Sequence, residues 1–91
     1  MLFDWFDARE ATRFGDSLAD FVAERIPSKS PKKAPEALAK LFAQIERFKQ
    51  SNKLNMYKKA KLANAFKWKL IDCGYTDEFI EEMTKEVLLH L

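Results

Sequence analysis

Glycine and proline are scarce in this chain and unevenly placed. Its 91 residues include two glycines and three prolines, and all three prolines fall within residues 27–35. A β-sandwich or a similar fold needs a turn signal about every 8–12 residues, and this sequence does not supply them. Long segments with apolar residues at spacings of three and four are typical of helices instead. The chain is therefore predicted to be all-α.

The length favours one domain, residues 1–91, because two independent cores would need roughly 50 residues each. Large catalytic scaffolds, such as the doubly wound sheet and the eight-stranded barrel, are excluded on the same ground. Cys73 is the single cysteine, so no internal disulfide can form, and a reducing, cytoplasmic location is expected. No apolar run approaches the ~18–20 residues of a membrane span. The acids Asp4, Asp7 and Glu10 are also unlike a secretory signal peptide.

The apolar periodicity predicts four helices, which span about residues 7–26, 35–50, 54–72 and 77–90. Residues 27–35 form a proline- and lysine-rich loop between the first two. Two short connections and one longer one are typical of a small antiparallel four-helix bundle. The aromatic segment at residues 1–6 is expected to pack on that bundle by folding back over its open end. The alternative is an exposed anchor for a partner's groove or for a second subunit.

Local signals mark where these helices begin and end. Asp7 and Glu10 have the spacing of a capping box, in which the carboxylate of Asp7 accepts from the amide of the third helical residue. Thr76 is placed to cap the fourth helix, and Gly74 suits the left-handed position after the third. Gly15 interrupts the first helix at a cost of roughly 1 kcal/mol relative to alanine. Two explanations for it stay open, a close approach of another helix or a hinge.

Charge is strongly segregated along the chain, although the net charge is only +2. Residues 1–26 carry three arginines against six acids, and residues 70–91 carry one lysine against six acids. Residues 27–69 carry twelve lysines and arginines against two acids. Such a basic segment suits a polyanion, but the acids of the first and fourth helices offer intramolecular partners that would reduce its field.

The third predicted helix has two apolar sides. At about 100° per residue, its core stripe consists of Met56, Leu62, Ala63, Phe66, Leu70 and Cys73. Tyr57, Trp68 and Ile71 lie on nearly the opposite side, among lysines. They either contact neighbouring helices, as expected for a central helix with a wide apolar arc, or form an exposed face for a partner.

Aromatic side chains among lysines suit nucleic acid, because lysines neutralise phosphates while rings stack on bases. The candidate phosphate-contacting residues are Lys29, Lys32, Lys33, Lys53, Lys58, Lys61, Lys67 and Lys69. Ser30-Pro31-Lys32-Lys33 resembles the Ser-Pro-Lys-Lys element of linker histones, and that resemblance implies contact with AT-rich minor grooves. Because the candidate set contains no arginine, the usual bidentate reader of guanine, the expected binding is sequence-tolerant.

Large apolar residues exceed the one stripe per helix that a core requires. The candidate partner-binding residues are Phe3, Trp5, Phe6, Tyr57, Trp68 and Ile71, and the leucines of residues 88–91 add to the surplus. An exposed surplus of this kind marks an interface. The main expectation is therefore a non-enzymatic protein-interaction or assembly module, such as an adaptor, a regulator or an assembly subunit, whose interface could serve a homodimer. Sequence-tolerant nucleic-acid binding is the alternative.

Catalytic and metal-binding patterns are not found in the sequence. His90 is the only histidine, and one histidine with one cysteine cannot form the usual structural zinc site. Its place in the last turn of the fourth helix complements the helix dipole. There is no glycine-rich phosphate loop. No enzymatic activity, cofactor, small-molecule substrate or membrane partner is expected.

Overall fold

In a computed structural model, which describes residues 7–29 and 35–91, the chain forms four α-helices. They are α1 (Arg9–Arg25), α2 (Pro35–Ser51), α3 (Met56–Asp72) and α4 (Asp77–His90). The prediction of an all-α bundle of four helices is confirmed, and no helix end differs from its predicted place by more than two residues. The expectations about residues 1–6 and 30–34 lie outside the described residues. Within the described ranges, no helix has the length and apolar character that crossing a membrane requires.

Side-chain caps and a glycine set the ends of α3 and α4. The hydroxyl of Thr76 accepts a hydrogen bond from the amide of Phe79 at 3.3 Å, as predicted for the start of α4. At the start of α3, Asn55 Oδ1 accepts from the amide of Lys58 at 2.8 Å. Gly74 follows α3 with φ of 87°, the left-handed conformation that ends a helix most readily at glycine.

The capping box predicted at the start of α1 is wrong. The helix begins one residue after Ala8, which occupies the N-cap position without a side-chain cap. Asp7 binds Arg9 instead, accepting from its amide at 3.2 Å and from its guanidinium at 3.0 and 2.9 Å. These hydrogen bonds lower the pKa of Asp7 from its usual 3.8 to about 2. A guanidinium two residues away is a stronger partner for the carboxylate than a backbone amide.

One stripe from each helix forms the core. The largest fully buried side chains are Leu18, Val22, Leu41, Ile45, Leu62, Phe66, Leu70, Met83 and Val87. Leu62, Phe66 and Leu70 belong to the stripe predicted for α3. The assignment of Met56 to that stripe is wrong, because this side chain is 86% exposed. Met56 is the first residue of α3 and lies about 80° around the helix axis from Phe66. It therefore falls at the edge of the stripe and at the end of the helix.

The backbones of α1 and α3 approach closely at Gly15. A Cβ atom on Gly15 would overlap the carbonyl oxygen of Leu62 and lie 3.1 Å from the Cβ of Ala65. Because α1 continues unbroken through this position, Gly15 is a close-approach residue and not a hinge. This contact accounts for a glycine in the middle of a helix, where it costs conformational entropy.

Further contacts show that α1 and α3 run in the same direction. Beyond the glycine contact, Asp20 of α1 pairs with Lys69 of α3 at 3.6 Å. Further still, the hydroxyl of Tyr75 donates to the carbonyl oxygens of Val22 and Ile26. Burial raises the pKa of Tyr75 above its usual value, so this hydroxyl keeps the proton that it donates. The pairing of two helices that do not follow each other in the chain is the most extensive in the bundle.

The helices α2 and α4 complete the bundle on the other side. Phe14 of α1 stacks on Phe48 near the end of α2, with ring centroids 4.1 Å apart, so α1 and α2 run antiparallel as predicted. The short connection at residues 73–76 turns α4 back along α3. Phe42 of α2 stacks on His90 of α4 at 3.7 Å. Because α3 contacts both α1 and α4, the outer side of α3 lies between these two helices.

The close approach at Gly15 predicts that Gly15→Ala destabilises the protein. Overpacking typically lowers the free energy of unfolding by about 1–3 kcal/mol. The higher helix propensity of alanine relative to glycine offsets up to about 1 kcal/mol of this loss. Because the obstructing atom belongs to the backbone, we expect the free energy of unfolding in urea to fall by about 2 kcal/mol. Ser17→Ala, at an exposed position of the same helix, is the control and should change it by less than about 0.5 kcal/mol. A Gly15→Ala variant as stable as the parent protein would refute the close approach.

Candidate functional site

Three of the predicted partner-binding residues are exposed on the outer side of α3. Tyr57 is 37% exposed, Trp68 57% and Ile71 38%. They are surface residues, although their spacing also fits a central helix that buries a wide arc. The remaining three candidates (Phe3, Trp5 and Phe6) lie outside the described residues.

A groove of about 520 Å³ follows the line where α3 meets α4. We call it the α3–α4 groove; its lining residues are Lys67, Ile71, Asp77, Ile80, Glu81, Thr84, Lys85 and Leu88. The buried Ile80 and the half-buried Thr84 lie deepest. The hydroxyl oxygen of Thr84 is covered and has no hydrogen-bond partner among the described residues. Because Ile80 is apolar and the hydroxyl oxygen of Thr84 is covered, the floor that a partner would meet is apolar.

Exposed apolar side chains extend the floor of the α3–α4 groove outwards on both helices. On α3, Trp68 lies one turn before Ile71, on adjacent surface. On α4, Leu88 is 48% exposed and its neighbour Leu89 is 71% exposed. These leucines are the surplus noted near the end of the sequence. Ile71 and Leu88 line the groove and join its floor in one apolar surface, with Trp68 next to it on α3. Leu89 lies about 100° around α4 from Leu88 and is not among the lining residues.

Charged residues of both signs border this apolar surface. Lys67 and Lys85 contribute two positive charges, while Asp77 and Glu81 contribute two negative charges. Glu81 and Lys85 form no ion pair with another described residue. These four charged residues form the rim of the groove. Their charges sum to zero, and Glu81 and Lys85 are available for ion pairs with a partner.

A second, shallower groove lies between α1 and α3. This α1–α3 groove, of about 370 Å³, is lined by Ala8, Arg9, Thr12, Arg13, Tyr57 and Lys61. The ammonium of Lys61 lies 5.6 Å from the centroid of the Tyr57 ring. The arrangement places cations beside an aromatic ring. It suits a nucleotide of a nucleic acid, because the cations can contact its phosphate while the ring stacks on its base.

Sequence reasoning missed the two arginines of the α1–α3 groove. Arg9 and Arg13 belong to a segment with a net negative charge, so their charge was masked by neighbouring acids. Only the pairing of α1 with α3 brings them to Tyr57 and Lys61. The same arginines line an adjoining cavity of about 460 Å³, whose other residues include Lys53 and Lys58 and also two acids, Asp7 and Glu10.

The other predicted phosphate-contacting lysines do not share this face. Lys69 pairs with Asp20 at 3.6 Å, an instance of the intramolecular pairing that the charge pattern offered as an alternative. Lys67 belongs to the α3–α4 groove, and Lys29 follows the end of α1. Lys32 and Lys33 lie outside the described residues. The basic segment is therefore divided among several surfaces.

His90 takes part in packing. Besides its stacking on Phe42, its Nδ1 donates to the carbonyl oxygen of Glu86 at 2.9 Å, and its own carbonyl oxygen accepts from Lys49 Nζ at 3.0 Å. Cys73 is half-buried against the core. Among the described residues, no group of three or more histidine, cysteine, aspartate or glutamate side chains is placed to hold a metal ion.

No family model matches the chain, and no curated protein or solved structure shows a significant similarity to it. The two grooves are therefore the basis on which a function is inferred.

Proposed function

We propose that this protein is a non-enzymatic interaction module that binds a protein partner in the α3–α4 groove. The observation that carries the proposal is the exposure of Ile71 and Leu88 beside an apolar floor, with Trp68 exposed one turn before Ile71. Contiguous apolar surface of this kind marks interaction sites in proteins. Tryptophan is also among the residues that contribute most to binding energy at interfaces.

The shape of the α3–α4 groove favours a helical partner. Two neighbouring helices with an apolar floor and a charged rim accept the apolar stripe of an amphipathic helix, whose polar face then remains in water. The partner's apolar residues would cover Ile71 and Leu88, and its charged residues would meet the rim.

Two further elements of the proposal rest on the sequence. The lack of catalytic motifs supports a role without enzymatic chemistry. The single cysteine supports a cytoplasmic location, where thiols stay reduced.

Photo-crosslinking tests the protein-binding role directly. A benzophenone amino acid in place of Leu88, incorporated in growing cells, should give protein adducts because this side chain lies at the groove. The same amino acid in place of Lys40, exposed on α2, is the control and should give none. The adduct should also disappear when Ile71→Glu places a charge in the groove.

Absence of adducts at Leu88, or equal adducts at both positions, would contradict the protein-binding role. Circular dichroism of the Ile71→Glu variant confirms its fold, since Ile71 is partly exposed and the change should be tolerated.

We propose sequence-tolerant nucleic-acid binding in the α1–α3 groove as a second candidate function. It is favoured by the meeting of Arg13, Tyr57 and Lys61 on one surface. The arginines add cations to a set that contained only lysines in the sequence. Opposing this, the Arg9 guanidinium is paired with Asp7, which reduces the local positive charge.

A titration of labelled mixed-sequence DNA and RNA at low and moderate salt tests the second candidate. Combining Lys58→Glu with Lys61→Glu should weaken binding about tenfold or more and reduce its salt dependence, because phosphate contacts are lost. Lys40→Glu with Arg47→Glu reverses the same number of charges on α2 and should have a much smaller effect. Equal losses in the two double variants, or no binding at low salt, would rule out the α1–α3 groove and the adjoining cavity, which Lys58 lines, as the binding surface.

A further inference from the structure

We propose that the partner in the α3–α4 groove is a second copy of this chain, packed mainly through α4 about a two-fold axis. This inference rests on the proposed protein-binding role of the groove. It follows from the order of charges along α4 and from the position of the groove's apolar end.

The charged residues of α4 that line the groove have their two signs in opposite halves of the helix. Asp77 and Glu81 belong to the first half of the helix, and Lys85 belongs to the second. At 100° per residue, these three residues lie within one arc of about 80°, together with Leu88. All four line the groove. The arc therefore carries negative charge at one end and positive charge at the other.

A two-fold axis turns this order into complementarity. When two identical helices pack antiparallel, each residue faces a fixed position of the second copy and the contact occurs twice. With the axis crossing the exposed side of α4 midway between Glu81 and Lys85, Glu81 faces Lys85 of the second copy, and Lys85 faces its Glu81. Two equivalent ion pairs form from residues that have no such partner within the described chain.

The same register brings apolar surface together. It places Leu88 near Asp77 of the second copy, at the end of the groove that Ile71 and Ile80 also line. Leu88, half exposed in the single chain, thereby gains an apolar environment. Ion pairs and apolar contacts thus require one and the same arrangement.

The balance of the rim favours this partner over a strongly charged one. With two lysines and two acids around the groove, a polyanion or a polycation meets as much repulsion as attraction. In a second antiparallel copy, by contrast, the acid Glu81 and the base Lys85 each meet the opposite charge by symmetry.

Charge reversal with mixing tests the arrangement. Sedimentation equilibrium of the parent protein should show a concentration-dependent mass that rises from 10.6 kDa towards twice that value. Glu81→Lys and Lys85→Glu each place like charges opposite one another, so each variant alone should associate at least about tenfold more weakly. Mixed in equal amounts they should recover association, because one copy then carries two positive charges at these positions and the other two negative charges.

Matched controls separate specific pairing from net charge and from misfolding. Glu46→Lys and Lys40→Glu reverse the same charges on the exposed side of α2 and, alone or mixed, should leave association unchanged. Recovery on mixing shows that both groove variants are folded. A parent protein that stays at 10.6 kDa at millimolar concentration, or a mixture no better than its components, would overturn the inference.

The crosslinking experiment at Leu88 distinguishes this failure from failure of the proposed function. An adduct with a different protein, from a chain that remains monomeric, would overturn the second copy as partner and leave the protein-binding role of the groove intact. Monomeric behaviour with no adduct at all would overturn both.

Discussion

Between α1 and α3 the two backbones come so close that a side chain at Gly15 would overlap the carbonyl oxygen of Leu62. This approach brings together two helices that are separated in the chain by α2, and it sets them running in the same direction. The hydroxyl of Tyr75 reinforces the pairing at its far end by donating to the carbonyl oxygens of Val22, in the last turn of α1, and of Ile26, just after it. The remaining helices pack around this pair.

The position of α3 between α1 and α4 follows from that pairing, and it determines what the surface can bind. One flank of α3 forms a basic groove with α1, in which Arg13 joins Tyr57 and Lys61. The other flank forms an apolar groove with α4, bordered by Ile71 and Leu88. The sequence pattern that suggested one mixed face of aromatic residues and lysines thus corresponds to two surfaces with different chemistry.

Much of the fold could be predicted from the sequence, because each helix buries one regular stripe and the start of α4 is marked by a capping threonine. Two local predictions were wrong. Asp7 was expected to cap α1, but it binds the neighbouring Arg9 instead. Met56 was expected in the core, but it lies in the first turn of α3 and is exposed. The grooves themselves could not be predicted, because they depend on which helices touch. The exposure of Trp68 was one of two alternatives that periodicity alone could not separate.

We propose that a second copy of the chain docks in the apolar α3–α4 groove. Amide NMR spectra recorded over a wide range of protein concentration test it residue by residue. Resonances of Ile71, Thr84 and Leu88 should shift as concentration rises, while those of the exposed side of α2, such as Lys40, should stay constant. Spectra that do not change with concentration, or changes confined to the α1–α3 groove, would contradict it.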